Sequence, residues 1–339
     1  MFGKFETRLA TGMMLGHRIV VGGKAFTKGH LLSLEDVAFL LSNGVISVVA
    51  HQFEEHEIDE VSAAEMLGAP FAKAGILSKS VVGGRMNFYA KADGLFIVER
   101  ELINSFNSIN DAVTFACLTD RCRVAVGELV GTLKIIPLAV EKRIVEAAKL
   151  VASIRPPISV RPFESRTVTL ISTTLPSLSA KTVEKTTRIT VERLAARGSK
   201  LVSDLFVEHD MHALAELLKK EAEGRAGSNH LIVVFGASAV ADANDVIPAA
   251  ILEAGGNVER IGMPVDPGNL IVIGTLGDVP LIGAPGCARS ASFNGLDWVL
   301  DRLLAGDRLD SGTIARLGVG GLLKESSQRP RLREAAAGR

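Results

Sequence analysis

Cysteine is scarce. Three occur in 339 residues, Cys117, Cys122 and Cys287. An odd, unclustered set excludes a disulfide framework and fits a reducing compartment. The C-x4-C pair Cys117/Cys122 has no further Cys or His pair to complete the four ligands that zinc needs. Aromatic residues are also few, at 5%, which weakens any model of bases stacked on an aromatic platform. Excess charge is absent: 38 Lys and Arg balance 38 Asp and Glu. That balance removes the positive footprint on which nucleic-acid affinity rests. No run of eighteen apolar residues occurs, and the start, MFGKFETRLATGMM, carries charge early and lacks an apolar export core. Neither membrane insertion nor export is expected, and the reading is cytoplasmic.

What is present is core-forming material. Hydrophobic residues make up 47% and charged residues 22%, and the length favours two domains. Consecutive prolines stiffen a connection and end helices, so the boundary is placed at Ile154-Arg155-Pro156-Pro157. This predicts a mixed α+β, strand-rich domain over 1–157, an α/β domain over 158–325 and a disordered tail over 326–339. In the first domain, Ser33 as N-cap and Asp36 three residues on predict a helix within 29–44, with Val37, Leu40 and Leu41 on its apolar face. Strands are expected over 45–50, 113–118 and 129–137, a hairpin over 86–98 turning at Ala92-Asp93-Gly94, and a helix over 140–153.

The second half alternates more cleanly. Strands are predicted over 167–174, 200–207, 230–235, 258–262, 270–275 and 279–283. Helices are predicted over 179–197, 211–223, 245–254 and 293–304. HLIVVF at 230–235 is an apolar run of the kind buried in a parallel sheet. The pattern predicts a mostly parallel sheet with helices on both faces, a three-layer α/β/α sandwich. Ligands of such folds bind beyond the C-terminal strand ends.

Three loops stand at such ends. The first, residues 236–248, follows HLIVVF. Six of its first seven residues are Gly, Ala, Ser or Val, which lets backbone N–H groups approach an oxyanion before a helix N-terminus. Asp242 and Asp245 lie near that helix start; for either alone, capping is the commoner role. The second loop, 262–269, contains Asp266-Pro267-Gly268. The third, 283–291, contains Pro285-Gly286-Cys287-Ala288-Arg289-Ser290, where a guanidinium fork suits phosphate. Each Pro-Gly alone is only a turn.

Residues 232–306 resemble the molybdenum-cofactor biosynthesis domain shared by molybdopterin adenylyltransferases and molybdopterin molybdenumtransferases. That family's glycine-rich loop matches Gly236-Ala237-Ser238 leading to Asp245-Val246-Ile247-Pro248. Its Pro-Gly turn matches Asp266-Pro267-Gly268-Asn269, and its last loop matches Ala284-Pro285-Gly286-Cys287-Ala288-Arg289-Ser290. In the first half, Lys28-Gly29-His30-Leu31-Leu32 and residues 40–49 are similar to the segment preceding this domain in the molybdenumtransferases.

The resemblance implies a protein that binds molybdopterin or molybdenum cofactor during its biosynthesis, maturation or delivery. The alternative it leaves open is a Mg-ATP-dependent adenylyl- or molybdenum-transferring enzyme. The residues it points to for the pterin phosphate are Thr173, Thr174, Gly236, Ala237, Ser238, Asp266, Pro267, Gly268, Pro285, Gly286, Cys287, Arg289 and Ser290. Asp242 and Asp245 are the candidates for catalysis and for Mg2+. A homo-oligomer is expected, with a nucleotidyltransferase or a molybdoenzyme as partner, since the sequence to Arg339 contains no nucleotidyltransferase domain of its own. The sequence departs from the family pattern where an acid is expected after the first strand, at Ser172-Thr173-Thr174-Leu175. It also has Ala237 for a glycine, Asn269 for a lysine, and Cys287-Ala288 for Asn-Pro. Phosphoryl transfer depends on metal and positive charge, so these losses favour binding over catalysis.

Other clusters are read as structural. His51 and His56 in HQFEEHEIDE fit an exposed, charge-rich loop. His209 and His212 fit a helix start capped by Asp210. Gly83-Gly84 is a turn.

Overall fold

The computed structural model describes residues 1–225 and 227–323. The tail expected over 326–339 lies outside them. The chain divides into two compact units between Pro162 and Phe163.

The first unit is built from small antiparallel sheets and short helices. Phe2–Glu6, Ser47–His51 and Met14–Leu15 form one sheet, with Ser47–His51 in the middle. Helix Leu34–Ser42 packs beside it and starts at a reciprocal capping box of Ser33 and Asp36. A second sheet runs Val113–Cys117, Leu129–Ile135, Arg85–Ala90, Ile76–Ser78, and a third runs Arg123–Val124, Gly94–Val98, Ile158–Pro162. Gly83 and Gly84, both with positive φ, turn the chain between Val82 and Arg85.

Two expectations are corrected here. Residues 86–98 are not a hairpin: Arg85–Ala90 pairs with Leu129–Ile135 and Ile76–Ser78, whereas Gly94–Val98 pairs with Arg123–Val124 and Ile158–Pro162. The Asp93-Gly94 turn carries the chain from one sheet to the next. A Cβ on Gly94 would stand 2.2 Å from the Arg161 carbonyl oxygen, so glycine is what lets the returning strand close on it. His51 is not on an exposed loop: it ends a strand, is 6% exposed, and lies 2.7 Å from Glu57.

The second unit is organised by one six-stranded sheet. In chain order its elements are β1 (Thr167–Thr174), α1 (Ala180–Ala195), β2 (Lys200–Glu208), α2 (Met211–Glu223), β3 (His230–Phe235), α3 (Val246–Glu253), β4 (Asn257–Ile261), β5 (Val272–Leu276), β6 (Val279–Ala284) and α4 (Gly295–Leu304). The strand order is β2-β1-β3-β6-β5-β4. The first four strands run parallel, and β5 runs against both of its neighbours. Because β5 is reversed twice over, β4 points the same way as β6. The ends of β1, β2, β3, β4 and β6 therefore share one edge of the sheet.

β3 is buried along its whole length, and its residues alternate between two cores. Leu231, Val233 and Phe235 pack with Leu194 of α1 and Leu296, Val299 and Leu300 of α4. Ile232 and Val234 pack with Leu214 and Leu218 of α2 and Ile247 and Ile251 of α3. Each such side chain contributes roughly 1.5–3 kcal/mol relative to exposure.

One polar network crosses the α1/α4 side. Arg193 Nε lies 2.8 Å from Asp297 Oδ1, and Arg197 donates to Asp301 at 2.6 Å and to Asp297 at 3.1 Å. All four side chains are buried, Arg197 to 2% exposure. The second Asp297 oxygen accepts the Asn294 N–H at the start of α4. Removing one member of such a set leaves a buried charge uncompensated. Asp297→Ala should cost about 3–5 kcal/mol of unfolding free energy in urea denaturation; a loss below about 1 kcal/mol would show that the two arginines find other partners.

Candidate functional site

β3 ends at Phe235, and the chain then runs through Gly236, Ala237 and Ser238. Glycine is required at 236, since a Cβ there would meet the Ser238 carbonyl oxygen at 2.8 Å and the Ile247 side chain at 3.1 Å. The loop is tied to β1 by the Ala237 N–H, which donates to Thr173 Oγ1 at 2.8 Å. Thr173 is fully buried. Its Oγ1 also lies 2.8 Å from His209 Nδ1, and His209 Nε2 lies 2.7 Å from Ser238 Oγ. Thr174 bonds instead to the neighbouring strand: its hydroxyl donates to the Val207 carbonyl and its own carbonyl accepts the His209 N–H.

Asp245 is the N-cap of α3. One oxygen accepts the Val246 N–H at 2.8 Å and the other the Ala241 N–H at 3.0 Å. Asp242 is exposed, and its Oδ1 accepts both the Asn244 backbone N–H and the Asn244 side-chain amide. Those two bonds hold its carboxyl below the ordinary aspartate value. Among the described residues no group of three or more His, Cys, Asp or Glu is arranged to hold a metal ion.

The third loop begins at Pro285 and makes a single turn of 3-10 helix, Gly286–Arg289. Gly286 has open space where a Cβ would stand, so its identity is not imposed by packing. Cys287 is half-buried in this turn. Arg289 lies over the Phe235 ring, 5.0 Å from the centroid. It donates to the Gly236 carbonyl at 2.9 Å and to Thr186 Oγ1 of α1 at 2.8 Å. Burial draws its pKa below the ordinary arginine value. Arg193 fixes the far side of the loop, donating to the carbonyls of Ala288 and Ser290 at 2.9 Å each. Ser290 Oγ caps the next turn at the Ser292 N–H.

The second loop is fastened elsewhere. Pro267 O accepts the Gly295 N–H at the start of α4, and Asp266 pairs with Leu322 through bonds to Gly321 and Leu323. Gly268 has a φ of +135°, and a Cβ there would stand 2.6 Å from the Gly295 backbone. The structure therefore joins the first and third loops directly through Arg289, and sets the second against the helix that follows the third.

Two residues of this region escape the sequence reading: His209, which follows β2, and Thr186, which holds Arg289. The signal for His209 was its position at the end of a parallel strand, the rule that selected the three loops. Ser172, beside Thr173, adds a buried hydroxyl without a partner among the described residues. A cleft of about 320 Å³ lies at the opposite edge of the sheet, lined by Asn257, Pro280 and Leu309 and by the charged residues Glu259, Arg308 and Asp310. It contains none of the loop residues. Among the described residues no helix is long and apolar enough to cross a membrane.

No family model matches this chain, and no curated protein matches it. Among solved structures, the chain is similar to a molybdopterin biosynthesis moea protein from Pyrococcus horikosii, at 14% identity over 74% of this chain and 81% of that one, with a TM-score of 0.30. It is similar to a molybdenum cofactor biosynthesis protein B at 14% identity over 41% of this chain and 87% of that one, with a TM-score of 0.28. A likeness to NadC from Streptococcus pyogenes covers 51% of this chain and 67% of that one, at 16% identity and a TM-score of 0.16. At TM-scores this low the likenesses carry no argument for what this chain does.

Proposed function

We propose that the second unit binds molybdopterin, or the molybdenum cofactor built on it, and takes part in its biosynthesis, maturation or delivery. The observation that carries this reading is the bond from Arg289 to the Gly236 carbonyl, which draws two small-residue loops together at the ends of parallel strands. Both loops are among the segments whose motifs and spacing resemble the molybdenum-cofactor family. In this reading the phosphate lies against Gly236, Ala237 and Ser238, within reach of the Arg289 donors that face away from Thr186 and Gly236. Thr173, Thr174, Asp266, Pro267, Gly268, Pro285, Gly286, Cys287 and Ser290 frame the remainder. The unit is read as a three-layer α/β/α sandwich, and the chain as a homo-oligomer that passes its ligand to a nucleotidyltransferase or a molybdoenzyme.

Binding is favoured over Mg-ATP-dependent transfer by the donor set. Both oxygens of Asp245 cap backbone N–H groups, and Asp242 is turned to its own loop. The end of β1 supplies threonines, Thr173 and Thr174, where the family it resembles has an acid. Both carboxylates are thus engaged by the loop's own N–H groups.

Calorimetry with cofactor released anaerobically from a molybdoenzyme should show saturable binding; folded protein without heat of binding would overturn the reading. Arg289→Ala should weaken phosphate-bearing ligands about tenfold to a hundredfold, from a charge-assisted bond of roughly 1.5–3 kcal/mol, and dephosphorylated analogues less. Equal weakening of both would place Arg289 away from the phosphate. With Mg-ATP and molybdopterin, pyrophosphate release should stay far below about 1 per second, an ordinary enzymatic rate. Turnover at that rate, abolished in a folded Asp245→Asn variant, would install the enzyme reading instead.

A further inference from the structure

Thr173, His209 and Ser238 form an unbroken hydrogen-bond chain whose direction follows from counting hydrogens. Thr173 Oγ1 accepts the Ala237 N–H and lies 2.8 Å from His209 Nδ1, and His209 Nε2 lies 2.7 Å from Ser238 Oγ. A hydroxyl has one hydrogen to give. If His209 carries its proton on Nδ1, both Thr173 contacts are received, and the Thr173 hydrogen is left without an acceptor at a position with 0% exposure. An imidazolium leaves the same hydrogen orphaned. If the proton sits on Nε2, every group is satisfied: Ala237 N–H donates to Thr173, Thr173 O–H donates to Nδ1, and Nε2–H donates to Ser238 Oγ. Buried polar groups without partners are the costly arrangement, so the third state is selected.

That state has a consequence at its exposed end. Ser238 Oγ already receives a hydrogen from the ring, so its own hydrogen points away from His209, out of the loop. The backbone N–H groups of Ser238, Ala239 and Val240 likewise have no acceptor among the described residues. A hydroxyl donor held beside a run of unpaired amides at a strand end is matched by an anion. The same count disfavours the other use of a Ser–His pair. A nucleophilic serine needs Nε2 free to take its proton, which is the arrangement that orphans Thr173. Nor does Ser238 have the positive φ of a strained nucleophile turn.

We propose that His209 is a positioning residue that locks the Ser238 hydroxyl as an outward hydrogen donor to a phosphate-type anion, and that Thr173 sets its tautomer. The proposal deepens the phosphate-binding reading of the same loop and rests on it for the class of ligand.

The test has two arms, both on the full chain. Long-range ¹H–¹⁵N correlation spectra of the free protein at neutral pH should show His209 protonated at Nε2 and unprotonated at Nδ1. The opposite tautomer, or an imidazolium, overturns the relay. Thr173→Val should release the tautomer and Thr173→Ser should retain it; a ring that stays locked in folded Thr173→Val also overturns it. Inorganic phosphate should then shift the amide signals of Ser238, Ala239 and Val240, with about tenfold weaker binding in Ser238→Ala and in His209→Ala. The expected tautomer without any phosphate response overturns the anionic occupant. A phosphate response in a protein that fails to bind released cofactor supports the relay and instead removes the pterin reading.

Discussion

The second unit depends on two buried arginines, Arg193 in the last turn of α1 and Arg197 just beyond its end. A guanidinium placed in a core must have its donors matched, and Arg193 and Arg197 meet that demand with Asp297 and Asp301 on α4 and with carbonyls of the 288–292 segment. The pairing fixes the rotation of α4 against α1 and, in the same stroke, the path of the chain leading into α4. The third loop is held at both ends, by β6 at one and by this network at the other.

From that anchor the candidate site is built outward. Arg193 holds the loop by its carbonyls, which leaves Arg289 to lean the other way, across Phe235 to Gly236. Phe235 is the last residue of the fully buried strand β3, so the guanidinium rests on a ring held within the core. On the opposite face of the sheet, Thr173 anchors the same loop from β1. Gly236–Ser238 is thus held from both faces, by an arginine on one and a threonine–histidine pair on the other.

Much of this was legible in the sequence because the signals were local. HLIVVF has the look of a strand buried in a parallel sheet, Ser33 with Asp36 spelled a capping box, and small residues after a strand marked the loops. What was not legible depended on partners distant in sequence. Ala92-Asp93-Gly94 has the chemistry of a hairpin turn, yet Gly94 pairs with Pro162, whose approach no local pattern announces. Asp210 does cap α2, which hid the role of His209 beside it, whose ring partners lie 36 residues before and 29 after. Asp245 was legible both as a cap and as a metal ligand, and the structure shows the cap.

The reach of Arg289 has a thermodynamic corollary. Its partners Gly236 and Thr186 are 53 and 103 residues away along the chain, and Thr173 meets Ala237 across 64. An unfolded chain contains no fragment of this arrangement, so an occupant of the loops has nothing to bind until the sheet is complete. Such a ligand acts wholly on the native side of the folding equilibrium, adding about 2.7 kcal/mol when its free concentration is a hundred times its Kd. The melting temperature of the unit thereby becomes a gauge of how much ligand surrounds it.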